Sequence, residues 1–126
     1  RLLELNEEIL FLHDISDDEL IELYRKANLF LFPSKYEGFG IPVLEAIQQN
    51  CKIILSNIDV FKEITNNKLT YFDKTSSEDL TFHILNSLSK KVNPNSNYSM
   101  SKDTLDNFTP KKISSQIINI YNSCVV

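Results

Sequence analysis

Apolar residues recur along the 126-residue chain in two alternating patterns, short continuous runs and helical spacings. Ile9 to Leu12, Leu29 to Phe32, Lys52 to Leu55 and Leu69 to Phe72 have the length and content of short buried strands. Between them the spacing changes to that of helices. Ser16-Asp17-Asp18-Glu19 has the form of a capping box, with Ser16 as cap and Glu19 reaching back. It predicts a helix from Asp17 to about Lys26 that buries Leu20, Leu23, Tyr24 and Ala27. A second helix is expected from Ile41 to about Gln49, with Pro42 suited to its first turn. Asn50 can end that helix, because asparagine tolerates the left-handed conformation.

Asp59 is placed to cap a short helix reaching about Thr65, and Asn66-Asn67 reads as a turn. Thr75 and Glu78 form a second capping box, opening a helix to about Ser89 with Leu80, Ile84, Leu85 and Leu88 as its apolar stripe. Residues 92–97 are rich in Asn, Ser and Pro and read as a loop, followed by a helix from Ser99 to Asn107. Thr109-Pro110 starts the last helix, with Ile113, Ile117, Ile120, Tyr121 and Cys124 on one side. Strands alternating with helices indicate an α/β fold built on a parallel sheet of about four strands.

Composition narrows the class of function. The length suits a single domain large enough to bury a core. The net charge is −4 and the pI about 5.1, and no basic stripe interleaved with aromatics is present, which excludes a nucleic-acid-binding role. No apolar run approaches the roughly 20 residues that cross a bilayer, and no signal-peptide pattern is present. Cys51 and Cys124 lie far apart without a metal-ligand pattern and read as buried, reduced thiols of a cytoplasmic protein. No Cys/His/acid cluster suggests zinc and no acidic loop suggests calcium, so no metal is expected. The chain starts at Arg1 without a methionine and reads as a processed or excised piece. His83 lies inside a predicted helix and reads as structural or surface-exposed.

Candidate chemistry concentrates in Pro33-Ser34-Lys35-Tyr36-Glu37-Gly38-Phe39-Gly40-Ile41-Pro42-Val43-Leu44-Glu45. Both glycines of the chain, Gly38 and Gly40, fall in this stretch, between a predicted strand and a predicted helix. Strand, glycine-bearing loop and helix start form an anion site, where backbone N–H groups point outward and the helix dipole favours negative charge. Glycines let the backbone approach a ligand closely. Glu37 precedes this site, and Glu45 follows Pro42 by about one helical turn, roughly 5 Å along the axis. A carboxylate accepts two hydroxyl protons at once and so suits vicinal sugar hydroxyls. An anion clamp with an acid on either side matches a nucleotide sugar: hexose, diphosphate, ribose. Ser34 can bond a phosphate or sugar oxygen, or only its own turn. Lys35 reads as solvated, with a phosphate contact as the lesser alternative. Taken alone, the same residues also describe an ordinary turn before a helix.

The pattern P-S-x-x-E-G-F-G-x-P-x-L-E, unbroken from Pro33 to Glu45, resembles the donor-binding signature of family 4 glycosyltransferases of the GT-B fold. Ala27, Ile53-Ile54, Ser56, Glu63, Tyr71-Phe72-Asp73 and Glu78-Asp79-Leu80 extend the likeness, from about Ile9 to Leu88. The resemblance implies a Rossmann-like, partial C-terminal half of a GT-B enzyme, with residues 1–126 as its donor-binding domain. It lacks the first strands of that domain and the N-terminal acceptor domain, which a longer parent or a partner chain would supply. The implied reaction is glycosyl transfer from a nucleotide-sugar donor with retention at the anomeric carbon, without a metal or other cofactor. Glu37 would orient the donor sugar as the catalytic residue. The N–H groups from Phe39 to Val43, with Gly38, Gly40, Ile41, Pro42 and Leu44 shaping the loop and helix start, would hold the diphosphate. Glu45 would hold the ribose. Phe39 would pack in the loop with its N–H turned to the donor. By the same resemblance His13 and Ile15, on the turn after the first strand, would lie near the base, although the family usually has glycine where His13 stands; a polar turn without a ligand is the alternative. A cytoplasmic location is implied, or a membrane-peripheral one for a full-length enzyme.

Two other classes remain open at this stage: a non-catalytic nucleotide-sugar-binding or assembly module, and an unrelated nucleotide-binding α/β domain. By the family's strand order 3-2-1-4-5-6, this chain supplies strands 3 to 6. Ile9–Leu12 then either pairs directly with Leu29–Phe32, with the C-terminal helices covering the free face of the sheet, or the gap is filled by another chain, self-association included. The first arrangement requires Ile113, Ile117 and Ile120 to touch the sheet.

Overall fold

The computed structural model describes residues 9–89 and 104–124. In chain order the elements are α1 (Asp17–Lys26), β1 (Phe30–Phe32), α2 (Ile41–Gln48), β2 (Ile53–Ser56), α3 (Asp59–Ile64), β3 (Thr70–Phe72), α4 (Ser77–Ser89) and α5 (Pro110–Cys124). The strands form a parallel sheet in the order β1-β2-β3. Phe30, Leu31 and Phe32 pair with Ile53, Ile54 and Leu55. Ile54, Leu55 and Ser56 pair in turn with Thr70, Tyr71 and Phe72. As the central strand, β2 is buried along its whole length, as expected for a parallel sheet covered on both faces.

Side chains alternate across the sheet, and the two faces take different cover. Ile53 and Leu55 join Tyr24 of α1, Val43, Ala46 and Ile47 of α2, and Phe61 and Ile64 of α3 in one core, with Phe30, Phe32 and Tyr71 packed against it. α2 and α3, the crossovers from β1 to β2 and from β2 to β3, thus share one face, as right-handed connections require, and α1 packs on the same face through Tyr24. Lys52, Ile54 and Ser56 point the other way. Lys52 donates to the carbonyl of Ser87 near the end of α4, which places α4 on this second face, against β3.

Local rules account for most boundaries. The capping box of α1 is present in full: Glu19 N–H donates to Ser16 Oγ at 3.3 Å and Ser16 N–H donates to Glu19 Oε2 at 2.8 Å. Asn50 is left-handed, with φ 58°, and closes α2 with a paired 6→1 and 5→2 turn: Cys51 N–H to Ala46 O and Asn50 N–H to Ile47 O, both 3.0 Å. Asn66 does the same for α3, with Asn67 N–H to Lys62 O at 2.7 Å. Thr109 caps α5 through Lys112 N–H, and Pro110 takes its first position.

Several expectations are corrected. Ile9–Leu12 lies outside any strand and is exposed, Leu10 at 79% and Phe11 at 77%, so the described sheet has three strands and β1 forms its edge. An apolar run supplies the side chains of a strand but not the neighbouring backbone that satisfies it, and among the described residues none lies beside this one. Direct pairing of Ile9–Leu12 with Leu29–Phe32 is therefore not formed. Ile113, Ile117 and Ile120 are 42%, 48% and 63% exposed, so α5 does not cover the sheet; α4 lies against β3 and does. The half-buried side of α4 carries Leu80, His83, Ile84 and Ser87, one helical row, while Leu85 and Leu88 are exposed. Its cap is Ser76, whose Oγ accepts from Asp79 N–H at 3.1 Å. Thr75 is instead held by Asp73, at 2.9 Å from its N–H and 2.7 Å from its hydroxyl. Leu23 and Ala27 of the predicted α1 face are exposed, and Asp59 is the first residue of α3 and not its cap. Cys124, read as buried in the last helix's apolar side, is exposed; Cys51 is half-buried, and burial raises its thiol pKa. The predicted loop at 92–97 and most of the helix from Ser99 to Asn107 lie outside the described residues; Thr104–Asp106 is helical.

Candidate functional site

The site residues come together where β1 hands over to α2. β1 delivers the chain to the carboxyl edge of the sheet, the edge at which open parallel sheets hold ligands. The loop of residues 33–40 crosses that edge and enters α2 through Gly40. Gly40 is buried and left-handed, with φ 104°, and an added Cβ would stand 2.9 Å from Phe61 Cε1. Glycine is required here by the backbone and by the packing of α3 against the loop. Gly38 is different: nothing lies within 4 Å of where its Cβ would be, so its bare backbone faces open space.

The start of α2 carries no side-chain cap and no acid in its first turn. The N–H groups of Gly38, Phe39, Gly40 and Ile41 donate to no acceptor among the described residues. Pro42 has none to offer, and the Val43 N–H donates to Gly40 O at 3.0 Å. The expected ladder of donors from Phe39 to Val43 is therefore shifted by the helix's own first bond, running from Gly38 to Ile41. Val43 is buried in the core and Leu44 packs against it. Free N–H groups at the positive end of a helix dipole suit an anion.

Each carboxylate of the signature is held by a hydroxyl. Ser34 Oγ donates to Glu37 Oε1 at 2.7 Å, so its hydroxyl holds the signature's own acid and not the backbone of its turn. Tyr24 Oη, from α1, donates to Glu45 Oε2 at 3.2 Å. Burial, and then the charge of Glu45 and this hydrogen bond, push the Tyr24 phenol up to about 12. Glu37 and Glu45 are both half-buried. Phe39 packs its ring against Phe108 from the C-terminal segment, edge to face at 5.2 Å, and not within its own loop.

Glu37 lines a cleft of about 320 Å³ at the carboxyl ends of all three strands. Lys35 and Tyr36 come with it from the first loop, Asn57 to Val60 from the turn after β2, and Lys74 from the segment after β3. Lys74 Nζ donates to Lys35 O at 3.2 Å across this space. Asn57, Asp59 and Lys74 carry no site signal in the sequence beyond position: each lies in the short segment that follows a strand of the parallel sheet, Asp59 at the start of α3. Glu45 is not among the cleft residues; it stands on α2 beside α1. His13 is exposed and Ile15 half-buried on the turn before α1, where the left-handed residue is Asp14, with φ 53°. Among the described residues no group of three or more His, Cys, Asp and Glu side chains converges as a metal site, and no helix is long and apolar enough to cross a membrane. His83 sits on α4, with Nε2 at 3.5 Å from Asp79 Oδ1, away from the cleft.

Comparison with known proteins agrees with the signature. A family model described as glycosyl transferases group 1 matches residues 1–103. The serotype-specific mannosyltransferase WbdA of Escherichia coli is 39% identical over 77 residues, 61% of this chain and 9% of that protein. The O-antigen chain mannosyltransferase RfbU of Salmonella typhimurium is 46% identical over 69 residues, 55% of this chain and 20% of that protein. The O-antigen biosynthesis glycosyltransferase WclY of Escherichia coli is 28% identical over 120 residues, 95% of this chain and 33% of that protein. The chain thus spans between about a tenth and a third of the length of these relatives. With the family match covering most of its residues and the signature folded as a strand, loop and helix start at the carboxyl edge of a parallel sheet, the chain belongs to the group 1 glycosyl transferases.

Proposed function

We propose that this chain is the donor-binding part of a glycosyltransferase that takes a glycosyl unit from a nucleotide sugar and passes it to an acceptor hydroxyl with retention at the anomeric carbon. The observation that carries the proposal is the row of N–H groups from Gly38 to Ile41 that meet no acceptor among the described residues, at the acid-free start of α2 and beside the cleft that holds Glu37. In the transfer the bond from the anomeric carbon to the diphosphate oxygen breaks and the diphosphate keeps the electron pair. The acceptor oxygen forms the new bond and passes its proton to the departing diphosphate, whose oxygen has just gained that electron pair. Negative charge grows on the leaving diphosphate, and fixed N–H dipoles at a helix start stabilise it without reorganising, an effect worth about 3–4 kcal/mol for a single well-aimed donor elsewhere. Glu37 orients the sugar through its hydroxyls and offsets positive charge on the ring. Glu45 holds the ribose. Lys35 and Lys74 add positive charge at the cleft. The names of the relatives make mannosyl the first glycosyl group to test.

Calorimetric titration with UDP, GDP and ADP tests the reading. One of them is expected to bind, and Glu45→Ala is expected to weaken it by about 1–3 kcal/mol, the scale of a charge-assisted hydrogen bond. Unchanged affinity in that variant would remove Glu45 from the site.

A further inference from the structure

Glu45 is one of two signature carboxylates, and it alone leans on another helix. Tyr24 is 7% exposed, its ring packed edge to face on Phe30 at 5.2 Å. A buried tyrosine needs a partner for its hydroxyl, and Glu45 Oε2 at 3.2 Å is the acceptor it finds. The helix that carries Tyr24 is itself tied to α2. Arg25 Nε donates to Gln49 Oε1 at 2.9 Å, one turn beyond Glu45, and Cys51 Sγ lies 3.9 Å from Ala27 O. The hydroxyl is therefore presented to Glu45 from a fixed support and not from a free side chain.

A glutamate on a helix surface turns about three side-chain bonds, and a ligand that uses it must stop that motion. A hydrogen bond to one oxygen stops it beforehand and leaves the second oxygen to accept from the ligand. Resting on the assignment of Glu45 to the ribose, we infer that Tyr24 is a positioning residue for nucleotide binding: it holds Glu45 Oε2 so that the remaining oxygen meets a ribose hydroxyl. Tyr24 lies nine residues before the signature and is absent from it, so the signature alone gives no reason to assign it this part.

The test compares the best-bound nucleoside diphosphate with its 2′-deoxy and 3′-deoxy analogues, on the unaltered chain and on Tyr24→Phe. Phenylalanine keeps the ring and its packing on Phe30 and removes only the donor. The unaltered chain identifies which hydroxyl matters, as the analogue that binds more weakly. Tyr24→Phe is expected to weaken the parent nucleotide about three- to tenfold, the cost of one newly mobile side chain, and to weaken that analogue less than twofold. If Tyr24→Phe lowers thermal stability but leaves the ratio of parent to analogue unchanged, Tyr24 is a packing residue only and the inference is wrong. If Glu45→Ala also leaves that ratio unchanged, the ribose assignment itself fails; if Glu45→Ala collapses it and Tyr24→Phe does not, only the inference fails. A second readout needs no ligand: titration of the Tyr24 phenol in Glu45→Ala is expected to fall from its raised value, and an unchanged value would show that the contact does not form in solution.

Discussion

At the residue scale the two glycines separate structural from functional demand. Gly40 has a left-handed backbone and a 2.9 Å approach to Phe61, so Gly40→Ala is expected to cost about 2–4 kcal/mol in denaturant unfolding, from strain and overpacking together. Gly38 faces open space, and Gly38→Ala is expected to change stability by less than about 1 kcal/mol while weakening nucleotide binding. The spacing of the motif shows that both are needed and cannot show why, since Phe61 arrives from 21 positions further along the chain. Glu37 calls for a different measurement. In a complete enzyme Glu37→Gln is expected to lower turnover by at least a hundredfold with nucleoside diphosphate affinity nearly unchanged, because a carboxylate that faces the sugar stabilises charge only as the bond breaks. Normal turnover in that variant would take Glu37 out of the mechanism. Ser34 shows what sequence leaves open, since its hydroxyl could serve turn or ligand with equal chemistry, and only the 2.7 Å bond to Glu37 settles where it points in the unliganded chain.

At the element scale, caps and helix ends were largely legible because they are local. Ser16 with Glu19, and Asn50 and Asn66 in left-handed positions, follow from residues within one turn. The buried faces of α1 and α4 were less legible, because an apolar residue can lie on either flank of a stripe and the neighbour decides. On α4 the sheet met the row of Leu80, Ile84 and Ser87, leaving Leu85 and Leu88 outside. The contact between α1 and α2 also sets a pH dependence. The Tyr24 phenol, ordinarily near 10.0, is raised to about 12, so the folded chain holds this proton more tightly than the unfolded one. Its contribution is intact below pH 10 and is lost as pH rises toward 12, a loss on the order of 2 kcal/mol. Unfolding at pH 8 and pH 11 should therefore show an alkaline decline in the unaltered chain that Tyr24→Phe reduces. An identical decline in both would place its origin elsewhere.

At the scale of the whole molecule, the fold class and the parallel order of the strands were legible from the alternation of short apolar runs with helical spacings, and the strand, loop and helix start of the candidate site from an ungapped signature. The extent of the sheet was not. Ile9–Leu12 has the composition of a strand, yet pairing is a property of two segments, and no segment lies beside this one among the described residues. The same holds for α5, whose apolar row reads as core and stands 42% to 70% exposed from Ile113 to Tyr121. What the fold does supply is a parallel sheet whose carboxyl edge presents, from three successive strands, a cleft with Glu37 and a helix start with open donors. The central claim is that this helix start receives the diphosphate of a nucleotide. Amide chemical-shift mapping during titration with UDP, GDP and ADP tests it most directly. The account predicts that one nucleotide moves the amides of Gly38, Phe39, Gly40 and Ile41 furthest, with those around His13 and Ile15 following if the base lies there. Saturating shifts confined to other parts of the chain, or none with any of the three, would contradict it.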